Sequence, residues 1–139
     1  MKAGSGFAMT RPFHLSFSVP DLAATKRFYS AVLGCQLGRD AGAWVDVNFF
    51  GHQLTLHEER AGLPAVAIDH FGPFLRRERW EEIVRRLRAA DIAFEVEPFV
   101  RDAGGPDEVG KFIVRDPAGN RLEFKYGEGF ERTVADADS

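Results

Sequence analysis

Arg11-Pro12-Phe13-His14-Leu15-Ser16-Phe17-Ser18-Val19-Pro20-Asp21-Leu22 has an echo later in the chain, at Ala67-Ile68-Asp69-His70-Phe71-Gly72. In the first stretch Phe13, Leu15 and Phe17 alternate with His14, Ser16 and Ser18. That is the period of a strand with one face on apolar packing and the other lined by polar groups. Each copy opens on a histidine-centred run, continues into a helical pattern and ends in strands. His14 and His70 are 56 residues apart, and the strands that follow the helices, near Cys35 and Ile92, are 57 apart. The chain therefore reads as one strand–helix–strand–strand–strand unit written twice.

Working outward, Pro20-Asp21 stops the first strand and Asp21 is a fitting N-cap. Leu22, Thr25, Phe28, Tyr29, Val32 and Leu33 recur at helical spacing, and Gly34 suits the C′ position. Strands are expected from Cys35, over Trp44 to Phe50, and over His52 to Glu58. In the last of these Gln53, Thr55 and His57 share the polar face. Arg60 to Pro64 reads as a linker. The second unit follows with a His70 strand and a helix from about Glu78 presenting Trp80, Ile83, Val84 and Leu87. A strand over Ile92 to Val96 comes next, then a long loop over 98–110, expected to act as a lid. Lys111 to Arg115 and Arg121 to Tyr126 close the unit around an Asp116-Pro117-Ala118-Gly119-Asn120 turn. The modules are expected at 11–59 and 66–126, with frayed termini at 1–10 and 127–139.

Composition narrows the function classes. The 139 residues are 45% hydrophobic and 28% charged, with a formal net charge of −3, as in an ordinary globular protein. No basic arm points to nucleic acid, and the arginines of 76–88 alternate with acids. One cysteine, Cys35, excludes an internal disulfide framework and fits a reducing, cytoplasmic setting. No apolar run reaches the ~20 residues that span a bilayer, and residues 1–10 lack a signal-peptide core.

Three residues are placed to converge: His14, His70 and Glu123. Two imidazoles and a carboxylate suit a borderline divalent metal and leave positions for substrate. Glu123 lies between Leu122 and Phe124, where an unpaired buried carboxylate is costly. A metal resolves that cost; so does solvent exposure, or a pair with Lys125 or an arginine. Gln53 occupies the place in the first unit that Glu123 holds in the second, so its amide oxygen is a candidate fourth ligand. His57 lies four residues further along the same face, roughly 13 Å away, as a substrate-side residue. His52 is expected to point away. Cys35 has no base partner and reads as an inert buried thiol.

The stretches HLSFSVPDLAATKRFYSAVLG, FFGHQLTLHE and VRDPAGNRLEFKY resemble the vicinal oxygen chelate superfamily, from about Phe13 to Tyr126. That superfamily includes glyoxalase I, type I extradiol dioxygenases and the fosfomycin- and bleomycin-resistance proteins. The resemblance implies an α+β fold in which two βαβββ modules curl a mixed sheet around a shared cavity. It implies metal ligation by His14, His70 and Glu123, with Gln53 at the position some members use for a fourth ligand. It further implies a homodimer and a small-molecule substrate with vicinal oxygens. Two histidines and one glutamate are the extradiol set, so an extradiol-dioxygenase-like oxidoreductase on Fe(II) or Mn(II) is the first expectation, with Glu123 and His57 as catalytic residues. A glyoxalase I-like lyase on Ni, Co or Zn is the second, and a metal-free ligand-sequestering protein the third.

Overall fold

The structure is a computed structural model that describes residues 12–59 and 68–127. The expected linker at 60–64 and both expected frayed termini, apart from Gly127, lie outside the described residues. Strand β1 is His14–Val19, helix α1 Leu22–Arg27, and β2, β3 and β4 are Gln36–Asp40, Trp44–Phe49 and His52–Glu58. Helix α2 is Arg77–Ala89, and β5, β6 and β7 are Phe94–Arg101, Val109–Arg115 and Arg121–Tyr126. The first sheet has the order β1-β4-β3-β2, with β1 parallel to β4; the second has β5-β6-β7.

Local chemistry explains the boundaries. The Asp21 carboxylate accepts from the Ala24 amide at 2.9 Å and caps α1. The helix then widens into a π-helical turn over Phe28–Val32, closed by Leu33 N–H donating to Phe28 C=O at 3.0 Å. Gly34 follows with φ +82°, as a C′ glycine should. Helix α2 buries Trp80, Ile83 and Leu87 and turns its arginines and glutamates outward.

Two expectations are corrected. Residues 98–110 are not one long loop: β5 reaches Arg101 and β6 resumes at Val109, leaving 102–108 as the connection. Pro98 is accommodated within β5 because that is an edge strand carrying register shifts, where a missing N–H need not break the ladder. The His70 stretch is not a regular strand. It meets β7 through two parallel bridges, Phe71 with Leu122 and Phe74 with Lys125. Pro73, between them, has no N–H to continue the ladder.

One apolar cluster unites the two halves. Phe17 and Phe49 meet Phe71, with ring centroids 5.7 Å apart in each pair. Phe49 and Phe50 also meet Phe124, at 6.4 and 5.6 Å. Trp80 packs on Phe112 and Tyr126 and donates its indole N–H to Phe124 C=O at 3.1 Å. Phe13, read as core-facing, is instead 63% exposed and packs edge-on against His52. It precedes β1 at the sheet margin. With the apolar sides turned inward, each sheet presents its polar side outward.

Candidate functional site

The parallel register of β1 and β4 sets His14 directly opposite Gln53, Ser16 opposite Thr55 and Ser18 opposite His57. His14 Nδ1 and Gln53 Oε1 are 2.6 Å apart, a hydrogen bond that the Nδ1–H tautomer donates and that leaves Nε2 with its lone pair. Behind them Asp46 accepts from Thr55 Oγ1 at 2.8 Å and from Arg39 Nε at 2.7 Å. Burial pushes the Asp46 carboxyl up, but these two donors outweigh it and hold it below its usual range. His14, Gln53, Asp46 and Asn48 line a cleft of about 620 Å³. His52 lines its rim, its Nδ1 accepting from the Phe13 amide at 2.7 Å.

The second sheet carries the other pair. His70 Nε2 and Glu123 Oε1 are 3.5 Å apart, with the histidine side chain 41% exposed and the glutamate 13%. Two donors each about 2.1 Å from one small divalent ion have comparable separations, so this pair fits a metal. Lys125 Nζ lies 3.2 Å from the same carboxylate oxygen. The ion pair with Lys125 therefore also meets the charge of Glu123. The two pairs are not built alike. Phe71 opposite Leu122 and Phe74 opposite Lys125 put Gly72 across from Glu123, so His70 reaches the carboxylate diagonally.

The structure brings His14 to Gln53 and His70 to Glu123. Among the described residues it brings no three His, Cys, Asp or Glu side chains together around one point of a single chain. His57 shares the His14 face but pairs with Ser18 and Trp44, its ring 6.4 Å from the indole, beyond the lining of the cleft. Tyr126 is turned to the opposite side from Glu123, buried against Trp80. Cys35 is buried, and burial pushes its thiol up to about 11. The Arg39–Asp46–Thr55 network had no separate signal in the sequence, whereas the Lys125 pair is one of the alternatives read there for Glu123.

The Asp116-Pro117-Ala118-Gly119-Asn120 segment is a structural knot. Asp116 Oδ1 accepts from the amides of Ala118 and Asn120, and Oδ2 from the Asn120 side chain and the Tyr29 hydroxyl, all at 2.8–2.9 Å. It fixes the start of β7, and hence the height of Glu123.

Residues 11–124 match the family described as the glyoxalase/bleomycin resistance protein/dioxygenase superfamily. No curated protein matches the chain. Among solved structures it is similar to a glyoxalase/bleomycin resistance protein/dioxygenase from Alicyclobacillus acidocaldarius, at 30% identity and TM-score 0.70 over 85% of this chain and 92% of that one. It shares its fold with a lactoylglutathione lyase from Agrobacterium tumefaciens, at 22% identity and TM-score 0.66 over 87% and 96% of the two chains. The same holds for a genomically encoded fosfomycin resistance protein from Listeria monocytogenes, at 18% identity and TM-score 0.65 over 89% and 98%.

Proposed function

Because the chain belongs to the glyoxalase/bleomycin resistance protein/dioxygenase superfamily, we propose that it is a metal-dependent enzyme whose centre is completed by two copies of the chain. The observation that carries this reading is the separation of the donors into two pairs, His14 with Gln53 and His70 with Glu123, each on the outward polar face of its own sheet. Two donors alone leave most positions of a divalent ion unfilled. A second copy, docked with its first sheet over the second sheet of its partner, supplies the remainder and makes a homodimer with two equal centres.

In such a centre His14, His70 and Glu123 hold the metal, with Gln53 either ligating or fixing the His14 tautomer through its 2.6 Å hydrogen bond. The ion supplies Lewis acidity toward two adjacent substrate oxygens. The chain's own residues do the rest. Glu123 balances charge and is placed to take a proton, while Lys125 neutralises that carboxylate when no cation is present.

The set of two histidines and one carboxylate, with an amide in place of a second carboxylate, favours extradiol-dioxygenase-like chemistry on Fe(II) or Mn(II). A glyoxalase-like isomerisation is favoured by a different observation. Tyr126 is buried away from Glu123, and His57 lies outside the cleft, so neither stands beside the metal donors as an additional acid or base. His57 keeps a substrate-side role only if substrate extends along β4.

Elemental analysis of protein purified without chelator tests the reading, with His70→Ala in parallel. About one ion per chain, lost in the variant, is expected. Oxygen uptake with catechol then identifies the dioxygenase, and isomerisation of a hemithioacetal without oxygen uptake identifies the lyase. No metal in either protein after repletion would overturn the enzyme reading and leave a ligand-sequestering cavity.

A further inference from the structure

Strand β2 carries a bulge: Leu37 pairs with Val47 and Asp40 with Val45, so Gly38 and Arg39 together stand opposite Asp46. The bulge changes what Arg39 faces. Leu37 packs on the apolar cluster, and strict alternation would send Arg39, two residues on, to that same side. Instead its guanidinium lies on the polar face, where Nε donates to Asp46 Oδ2 at 2.7 Å. The guanidinium carbon also sits 5.2 Å from the centre of the Trp44 ring. Gly38 leaves room for this, since a Cβ there would come within 3.3 Å of the Asp46 Cβ. One edge and one face of the guanidinium are thus held. Its two Nη groups donate to no described residue, and Arg39 lines the same cleft as His14 and Gln53.

We infer that Arg39 sets the specificity of this cleft by receiving a carboxylate at the far end of a substrate whose vicinal oxygens lie at the His14 end. The inference rests on the metal reading above and adds the substrate class to it. In the Arg39–Asp46 pair the acid is the buried anchor and the cation the exposed end, their side chains 7% and 74% exposed. Thr55 takes the other oxygen of Asp46, so the anchor itself is fixed. A guanidinium braced in this way loses little freedom when a ligand arrives. Its Nη pair matches both oxygens of a carboxylate with two parallel charge-assisted hydrogen bonds. The spacing suits a small molecule. His14 and Asp46 are two strands and two register positions apart, which puts roughly 12 Å between their backbones. With a side chain entering from each end, one ring with a short acidic arm spans the remainder.

The probes are 3-(3,4-dihydroxyphenyl)propionate and its primary amide, which share adjacent hydroxyls, ring and arm length and differ in charge. Each is titrated calorimetrically into full-length protein with and without Mn(II). The acid is expected to bind Mn(II)-loaded protein about tenfold more tightly than the amide, and less so as salt is raised. Arg39→Gln keeps an N–H donor for Asp46 but lacks the fork. It should bring the ratio near one without weakening the amide, and Arg39→Met should do the same. A ratio near one in the parent, or one that both variants leave intact, would overturn the inference, while Mn(II)-dependent amide binding kept the metal reading. Equal losses of acid and amide in both variants would make Arg39 a structural brace and overturn the inference too. An Arg39-dependent ratio with binding indifferent to Mn(II) would uphold the carboxylate site and sink the metal reading. Binding of neither probe would overturn the inference.

Discussion

Glu123 is reached by three neighbours of different kinds: an imidazole, an ammonium and the bare backbone of Gly72. A Cβ built on Gly72 would lie 1.7 Å from the Glu123 carbonyl oxygen, an approach no side chain permits. Gly72→Ala is therefore expected to push the 70–75 segment off β7, costing on the order of 1–3 kcal/mol or more by overpacking. Metal content should fall with stability, both read on one preparation by thermal unfolding and elemental analysis. Glu123→Gln makes the opposite pattern: unchanged melting and a loss of more than about 10²-fold in metal affinity, since even outer-shell changes cost 10–100-fold. A variant that binds metal like the parent would remove Glu123 from the ligand set. The pairing of His14 with Gln53 and of His70 with Glu123 was legible from the repeat, and their role as ligands belongs to the proposal. Gly72 was not legible, because its reason is the backbone of a strand far along the chain, and no local pattern records close approach between distant segments.

At the level of elements, the 102–108 connection is held by one carboxylate. Glu108 accepts from the Gly104 amide at 2.8 Å, from the Tyr126 hydroxyl at 2.6 Å and from Arg77 at 2.8 Å. The Gly104 amide first, then the Tyr126 hydroxyl, draw the Glu108 carboxyl below its ordinary 4.5 against the opposing pull of burial, with Arg77 adding to the effect. Burial and Glu108 together push the Tyr126 hydroxyl up to about 12. A carboxyl depressed in the folded state contributes stability that is complete above its unfolded value and is lost as pH falls through the folded one. Protection of the Gly104 amide against hydrogen exchange should hold above pH 4.5 and decline below it. In Glu108→Gln the protection should be lower at neutral pH and flat across that window. Protection independent of pH in the parent would mean that the clamp does not hold the turn. If the turn is also a lid, cutting at Gly104-Gly105 should change substrate affinity or turnover. The helices and six of the seven described strands follow from periodicity and capping. The glycines and prolines of 98–110 read as loop because no local pattern marks β5 as the edge of its sheet.

For the whole molecule, the telling question is whether the two donor pairs of one chain ever meet each other. If each centre takes one pair from each copy, mixing His14→Ala with Glu123→Ala regenerates an intact centre in every mixed dimer. Random assortment then restores about a quarter of the parental activity or metal content. No recovery after denaturation and co-refolding would place all the ligands in one chain. The repeat and the family resemblance made the two-module plan legible from the sequence. The division of donors between its faces was not, because a single chain's sequence carries no record of which copy a side chain will face.

The Tyr29–Asp116 bond has a consequence in time. It joins residues 87 apart, one on the π-helical turn of the first half and one at the knot before β7. A link across so much chain is entropically expensive to close and belongs late on the folding route. Its loss in Tyr29→Phe is worth about 1.5–3 kcal/mol for a hydrogen bond to a charged group. That loss should surface as faster unfolding with refolding nearly unchanged. On the ribosome, the first half must wait for most of the second to emerge before this latch can engage.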